Sequence, residues 1–212
     1  MSRLYPIALD LEGRPVLVVG GGEVAARKLR SFQGTGARVT LVATEISGEA
    51  ERATNEAGAR VYCRPYRSND VRNKWLVIAA TNNSAVNAKV YRDSEDAGVY
   101  CNVVDQPDYC SFQSPAVARR GRLQIAVSTH GASPALAARI RKELEDRYGK
   151  EYEILLEGLC ELRRWYKGKY PDDGDRRAKL LESFLSSRTP VLLLRNSDGK
   201  AFRRSIAKWK SR

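Results

Sequence analysis

The sequence predicts an α/β fold: a parallel, doubly wound sheet in the N-terminal half, then a small segment of different style and a helical C-terminal region. Three observations carry this. Continuous apolar runs at residues 15–19 and 75–80 are the mark of strands buried on both faces. Stretches with apolar residues at helical spacing alternate with them, and alternation of that kind builds parallel sheets. After Asp105-Gln106-Pro107 the alternation stops.

The elements follow in order. Pro15-Val-Leu-Val-Val19 reads as the first strand, and three glycines separate it from a helix in which Val24, Ala25, Leu29 and Phe32 share a face. Gly34 and Gly36 stop that helix, and Arg38–Ala43 is the next strand, which completes a βαβ unit of about thirty residues. A helix over 47–57 precedes a short strand at Arg60–Cys63, then Trp75–Ala80 as strand, 84–97 as helix ending at Gly98, and Val99–Val104 as strand. Leu123–Ser128 alternates apolar and polar residues, so it reads as a half-exposed strand outside that sheet. Ser133 and Pro134 are suited to the N-cap and first position of an alanine- and arginine-rich helix. From Lys150 the chain reads as helical and basic, broken at residues 170–174; the run 190–194 fits strand or helix equally.

Composition bounds what the chain can be. It has 212 residues, 42% hydrophobic and 29% charged, enough for one large domain or a core domain with an appendage. No run has the length of a membrane span, and the N-terminus lacks the apolar core of a secretory signal, so the expected address is the cytoplasm. Four cysteines without a CxxC pair speak against a zinc knuckle or disulfide framework and for buried, reduced thiols. The formal charge of +12 suits a polyanionic partner, whether nucleic acid, membrane or a small molecule with many carboxylates, and suits a solvated surface as well. Trp165-Tyr166-Lys167 and Lys208-Trp209-Lys210 interleave aromatic and basic residues only faintly, so neither nucleic acid nor membrane is the expected partner.

Gly20-Gly21-Gly22-Glu23-Val24-Ala25 has the pattern G-x-G-x-x-A between a buried strand and a helix, the context that makes a dinucleotide-binding loop of a Rossmann unit. Gly20 permits the turn, Gly22 lets the backbone approach a pyrophosphate, and Ala25 lets the helix pack closely on the strand. The phosphates would meet the free N–H groups at the helix N-terminus, where the macrodipole is positive. An acidic residue to hold the adenine ribose should close the second strand, but that strand ends Ala43-Thr44, with Glu45 the nearest acid. No arginine stands at that tip, which favours NAD over NADP, and Thr44 and Glu45 are expected to flank the adenosine.

Strand C-termini line the ligand crevice of a doubly wound sheet, so Thr81 and Asn82 are further cofactor candidates. Asn87 reads either as their neighbour or as a solvent-facing residue. Asp105 ends a buried strand, where a carboxylate serves either as a proton acceptor or as the start of a turn before Pro107.

Taken together, Val18–Ala25 with Arg27-Lys28, Ala79–Asn83 with Asn87, Asn102–Asp105 with Ser111-Phe112, and Ser128–Pro134 strongly resemble the siroheme synthase family of precorrin-2 dehydrogenases and sirohydrochlorin ferrochelatases. The resemblance covers about residues 4–150 closely. It implies NAD-dependent oxidation of precorrin-2 to sirohydrochlorin, with Fe²⁺ as a further substrate in members that go on to siroheme. It implies Asp105 as the essential carboxylate, Gly22, Glu23 and Val24 as pyrophosphate contacts, and a homodimer. The corresponding boundaries are 1–113 for the NAD-binding domain, 114–149 for a dimerisation segment and 150–212 for a helical domain. The half-exposed strand at 123–128 points to a dimer independently, because its apolar face needs cover.

The substrate's carboxylates would give the positive charge a purpose. Arg119, Arg120 and Arg122 are then candidates to bind them, against the alternative of a solvated hairpin tip. Ser128 and His130 are the other substrate candidates. His130, the one histidine, stands where the family has a small or variable residue; it reads as a proton carrier or as a residue that orients the helix start. No fixed metal site is expected, with Asp105 and His130 as transient contacts for iron. The competing reading is an NAD-sensing regulatory domain without catalysis, which would leave the Ser128–Pro134 motif unexplained.

Overall fold

The structure is a computed structural model that describes residues 4–187, Leu194 and 199–211. Five parallel strands form the main sheet: β1 (Pro15–Val19), β2 (Arg38–Ala43), β3 (Arg60–Cys63), β4 (Leu76–Ala79) and β5 (Tyr100–Val103), in the order β3-β2-β1-β4-β5. Helices α1 (Glu23–Ser31), α2 (Gly48–Ala57) and α3 (Ser84–Asp96) connect them. The apolar runs at residues 15–19 and 75–80 have the burial they imply. Val16 and Val18 of β1, with Leu76 and Ile78 of β4, face α1 and α2; Leu17, Val19, Val77 and Ala79 face α3 on the opposite side. Both faces are covered, so the strands need no polar alternation.

Local capping sets the helix ends. The Ser47 side chain accepts from the Ala50 amide to open α2, and Gly58, at φ +60°, closes it. Strand β3, at the sheet edge, is exposed along its length. Cys63 is therefore exposed, and the expectation of uniformly buried thiols is corrected there; Cys101, on β5 at the opposite edge of the sheet, is fully buried. Cover decides this: the chain returns along the outer flank of β5, where Asn102 bridges to Cys110 and the Ser111 amide donates to the Cys101 carbonyl, and Val90 of α3 packs with Cys101.

The chain divides into two compact units, Met1–Ser114 and Pro115–Arg212. In the second, β6 (Ala116–Arg120) pairs antiparallel with β7 (Leu123–Val127) about a turn at Gly121, and the hairpin packs on α4 (Pro134–Arg147). Alternate residues of β7 are half-buried and exposed. The Ser133 side chain caps α4 through the Leu136 amide, with Pro134 in the first turn. Helices α5 (Glu151–Lys169), α6 (Gly174–Ser186) and α7 (Gly199–Lys210) enclose Leu162, Tyr166, Phe184 and Phe202. Gly158 of α5 lets α7 approach, since a Cβ there would lie 2.7 Å from the Phe202 ring. The run 190–194 lies outside the described residues apart from the buried Leu194.

Candidate functional site

Strand order reverses at β1: the chain proceeds outward through β2 and β3 on one side, then returns to build β4 and β5 on the other. Connecting loops therefore diverge at the C-terminal ends of β1 and β4, and a crevice opens between them. A cleft of about 890 Å³ occupies that edge, within the ~300–1,000 Å³ common for ligand pockets. Gly20, Gly22, Glu23, Val24, Thr44, Glu45, Thr81 and Asn82, drawn from three separate loops, all line it.

The three glycines have different physical duties. Gly20 sits at φ +118°, and a Cβ there would lie 2.3 Å from the Ala80 carbonyl oxygen. Gly21, to which the sequence reading gave no role, is equally constrained: a Cβ would stand 2.0 Å from the Glu45 carbonyl oxygen, and the Ser47 amide donates to the Gly21 carbonyl at 2.8 Å. A Cβ on Gly22 would meet nothing within 4 Å. The first two glycines thus let β1 turn against its neighbouring loops, while Gly22 keeps an open wall of the cleft free of side chain. Gly22 is also the N-cap of α1 and makes no side-chain cap hydrogen bond. Bare backbone at a helix N-terminus, beside open space, fits a pyrophosphate.

Asn87 is buried, which corrects its reading as a solvent-facing residue. The Thr81 hydroxyl donates to Asn87 Oδ1 at 2.7 Å and the Asn87 amide nitrogen donates to the Thr81 carbonyl at 2.9 Å. Asn83 caps α3 by accepting from the Val86 amide. The loop after β4 is thereby fixed by its own side chains.

Three further cleft residues had no signal in the linear sequence: Arg64, Tyr66 and Lys89. Register β2–β3 sets Cys63 beside Ala43, and the Arg64 amide donates to the Ala43 carbonyl at 2.9 Å. An arginine therefore does stand beside the tip of β2, supplied by the neighbouring strand, where the sequence of β2 alone shows none.

Asp105 is exposed in the turn after β5, at φ +61°, one strand beyond the cleft on the same sheet edge. It does not line the cleft itself. The Val104 amide donates to the Ala79 carbonyl, and Asn102 Nδ2 donates to the Phe112 carbonyl at 3.0 Å, which brings the chain back beside β5. Lys28 of α1 is half-buried nearby. Burial lowers its pKa and Arg27 adds to that, while Cys110 and Asp105 work in the opposite direction.

The other candidates belong to the second unit. Arg119 is exposed on β6, and Ser128 and His130 are exposed in the loop after β7. Arg120 is engaged within the unit: its guanidinium donates to the Glu145 carbonyl near the end of α4 and to the Arg119 carbonyl, both at 2.8 Å. His130 has φ +52° and its amide donates to Ser128 Oγ. Thr129, which the sequence reading did not single out, holds the start of α4 by bonding both the amide and the carbonyl of Ser133. Among the described residues no group of three or more His, Cys, Asp or Glu could hold a metal, and no helix is long and apolar enough to cross a membrane.

Comparison with known proteins fits this architecture. A family model described as "Putative NAD(P)-binding" matches residues 7–116, and one described as "Sirohaem biosynthesis protein central" matches residues 120–147. A siroheme synthase of Ectopseudomonas mendocina (strain ymp) is 41% identical over 176 residues, covering 82% of this chain and 37% of that protein. A siroheme synthase of Neisseria meningitidis serogroup C (strain 053442) is 41% identical over 141 residues, 66% of this chain and 29% of its own length. The chain thus spans about a third of the length of the curated relatives it matches. A solved structure of "SirC, precorrin-2 dehydrogenase" superposes with a TM-score of 0.77 at 32% identity, covering 97% of this chain and all of that one.

Proposed function

The chain belongs to the siroheme synthase family, and from that premise we propose that it oxidises precorrin-2 to sirohydrochlorin with NAD as hydride acceptor. The observation that carries this reading is the juxtaposition on one sheet edge: a glycine-walled cleft at the switch point and, one strand over, an exposed carboxylate at Asp105. The full-length likeness to a precorrin-2 dehydrogenase supports it. The regulatory alternative draws no support from these relatives.

NAD, when bound, supplies a place for the hydride. Gly22, Glu23 and Val24 would hold its pyrophosphate by their amides. Thr44 and Glu45 would flank the adenosine, and Thr81, held by Asn87, would flank the other half with Asn82. Oxidation removes a hydride and a proton from the macrocycle. Asp105 would accept the proton, as a general base fixed by the β5 turn. Ser128, His130 and the arginines of β6 are assigned to the substrate, with Arg119 favoured over Arg120 because the latter guanidinium is already engaged. Fe²⁺ enters only as a further substrate, with Asp105 and His130 as its transient contacts. The working form is a cytoplasmic homodimer.

The test supplies enzymatically made precorrin-2 with NAD⁺, with and without Fe²⁺, and follows the absorption spectrum. Stoichiometric NADH formation with a sirohydrochlorin spectrum is expected; NADH binding without turnover would instead favour the regulatory reading.

A further inference from the structure

Among the described residues lining the cleft, the cations are Arg64 and Lys89, and both already face carboxylates. Arg64 donates through Nη1 to Asp70 Oδ2 at 2.8 Å and through Nη2 to Asp70 Oδ1 at 2.7 Å, and Nη1 also donates to the Pro65 carbonyl. Asp70 is itself fixed, since the Arg67 amide donates to its Oδ2 at 2.9 Å within the 3₁₀ turn Ser68–Val71. Lys89 donates to Asp93, whose carboxylate also accepts from the Tyr66 hydroxyl at 2.8 Å.

The place of Arg64 gives this pairing a consequence. Its amide bonds the last residue of β2, directly before Thr44 and Glu45. In a Rossmann cleft this corner receives the adenine ribose. An arginine nearby is what accommodates the 2′-phosphate of NADP, by charge and by a pair of parallel N–H donors. Here the arginine is present, but both terminal nitrogens point at Asp70 and the pair carries no net charge.

We propose that the Arg64–Asp70 ion pair sets the preference of this cleft for NAD over NADP, with Asp70 holding Arg64 away from a 2′-phosphate. The inference rests on the reading that the cleft binds a nicotinamide dinucleotide. It assigns a specificity role to Asp70, a residue outside the cleft wall that acts only through Arg64.

The experiment measures dissociation constants for NAD⁺ and NADP⁺ by calorimetry, and for 5′-AMP and 2′,5′-ADP to isolate the phosphate. The proteins are the unmodified chain, Asp70→Asn, Asp70→Ser (whose hydroxyl can still accept from the Arg67 amide) and Asp70→Asn with Arg64→Met. Freed from its partner, Arg64 should tighten NADP⁺ and 2′,5′-ADP binding about tenfold or more in the single variants. NAD⁺ and 5′-AMP should stay within about twofold. Adding Arg64→Met should erase the gain, and raised salt should diminish it. The variant that keeps the unmodified protein's melting temperature is the one to read. Unchanged NADP⁺ affinity in that variant, with NAD⁺ still bound, overturns the inference. Failure of the unmodified protein to bind either dinucleotide instead overturns the functional reading beneath it.

Discussion

Thr81 and Asn87 are joined by reciprocal hydrogen bonds across the start of α3, hydroxyl to amide oxygen at 2.7 Å and amide nitrogen to carbonyl at 2.9 Å, and the Thr81 amide also donates to Asn87 Oδ1 at 3.4 Å. The bond donors and acceptors are satisfied between a cleft residue and a buried one, so the shape of the loop after β4 depends on a side chain that never lines the cleft. Removing one partner of a buried pair leaves the other unsatisfied, at a cost of about 1–3 kcal/mol. Asn87→Ala should lose about that much stability in urea and bind NADH several-fold more weakly. Full NADH affinity in a destabilised Asn87→Ala would mean that the loop keeps its form without the pair.

The glycines separate a structural from a ligand-facing role. Gly20→Ala should unfold at lower temperature, because positive φ and a 2.3 Å contact with the Ala80 carbonyl oxygen oppose any Cβ. Gly22→Asp adds a side chain to open space and should melt within a few degrees of the unmodified protein. Its carboxylate would repel the pyrophosphate and cost at least ~2 kcal/mol of NADH binding. Equal NADH affinity in a folded Gly22→Asp would remove the phosphates from this loop.

Asp105→Ala should bind NAD normally and oxidise precorrin-2 about 10²–10⁴-fold more slowly, the usual cost of losing a general base. Single-turnover absorbance on mixing with precorrin-2 is the measurement. Normal oxidation by a protein that melts early would reduce Asp105 to a turn residue.

The two strand cysteines should behave oppositely. Exposed Cys63 should react promptly with a thiol reagent in the native protein, and buried Cys101 only after unfolding. Burial pushes the Cys101 thiol from 9.0 up to about 11. A folded-state pKa above the unfolded one gives stability that is complete below about pH 9.0 and is lost as pH rises toward 11. Cys101→Ala should therefore flatten the fall in stability across that window, read from urea midpoints. An equally steep fall in the variant would assign it to other groups.

In the second unit, Leu136 and Ile154 are exposed and the apolar residues of β7 are only half-buried. A homodimer that covers such surface should scatter light as twice the 23.7 kDa of one chain at micromolar concentration. A monomer under those conditions would count against the proposed assembly.

The sequence by itself determined the parallel sheet, the helices between its strands, the glycine turn and the cap at Ser133. Each depends on residues near one another along the chain: apolar runs, stop glycines, a Ser-Pro step. It also placed Thr44, Thr81 and Asp105 at strand ends, since strand C-termini share one edge once the topology is known. Tertiary structure alone decided what stands beside those ends. Arg64 reaches the tip of β2 through the β2–β3 register, and Asn87 is buried because α3 packs on the sheet. Cys63 is exposed on edge strand β3, whereas Cys101 is buried on the opposite edge because the chain returns along β5 and α3 packs there. Gly21 is obligatory because the Glu45 carbonyl passes over it. Each is a contact between segments brought together by folding, and residue spacing carries no record of such a meeting.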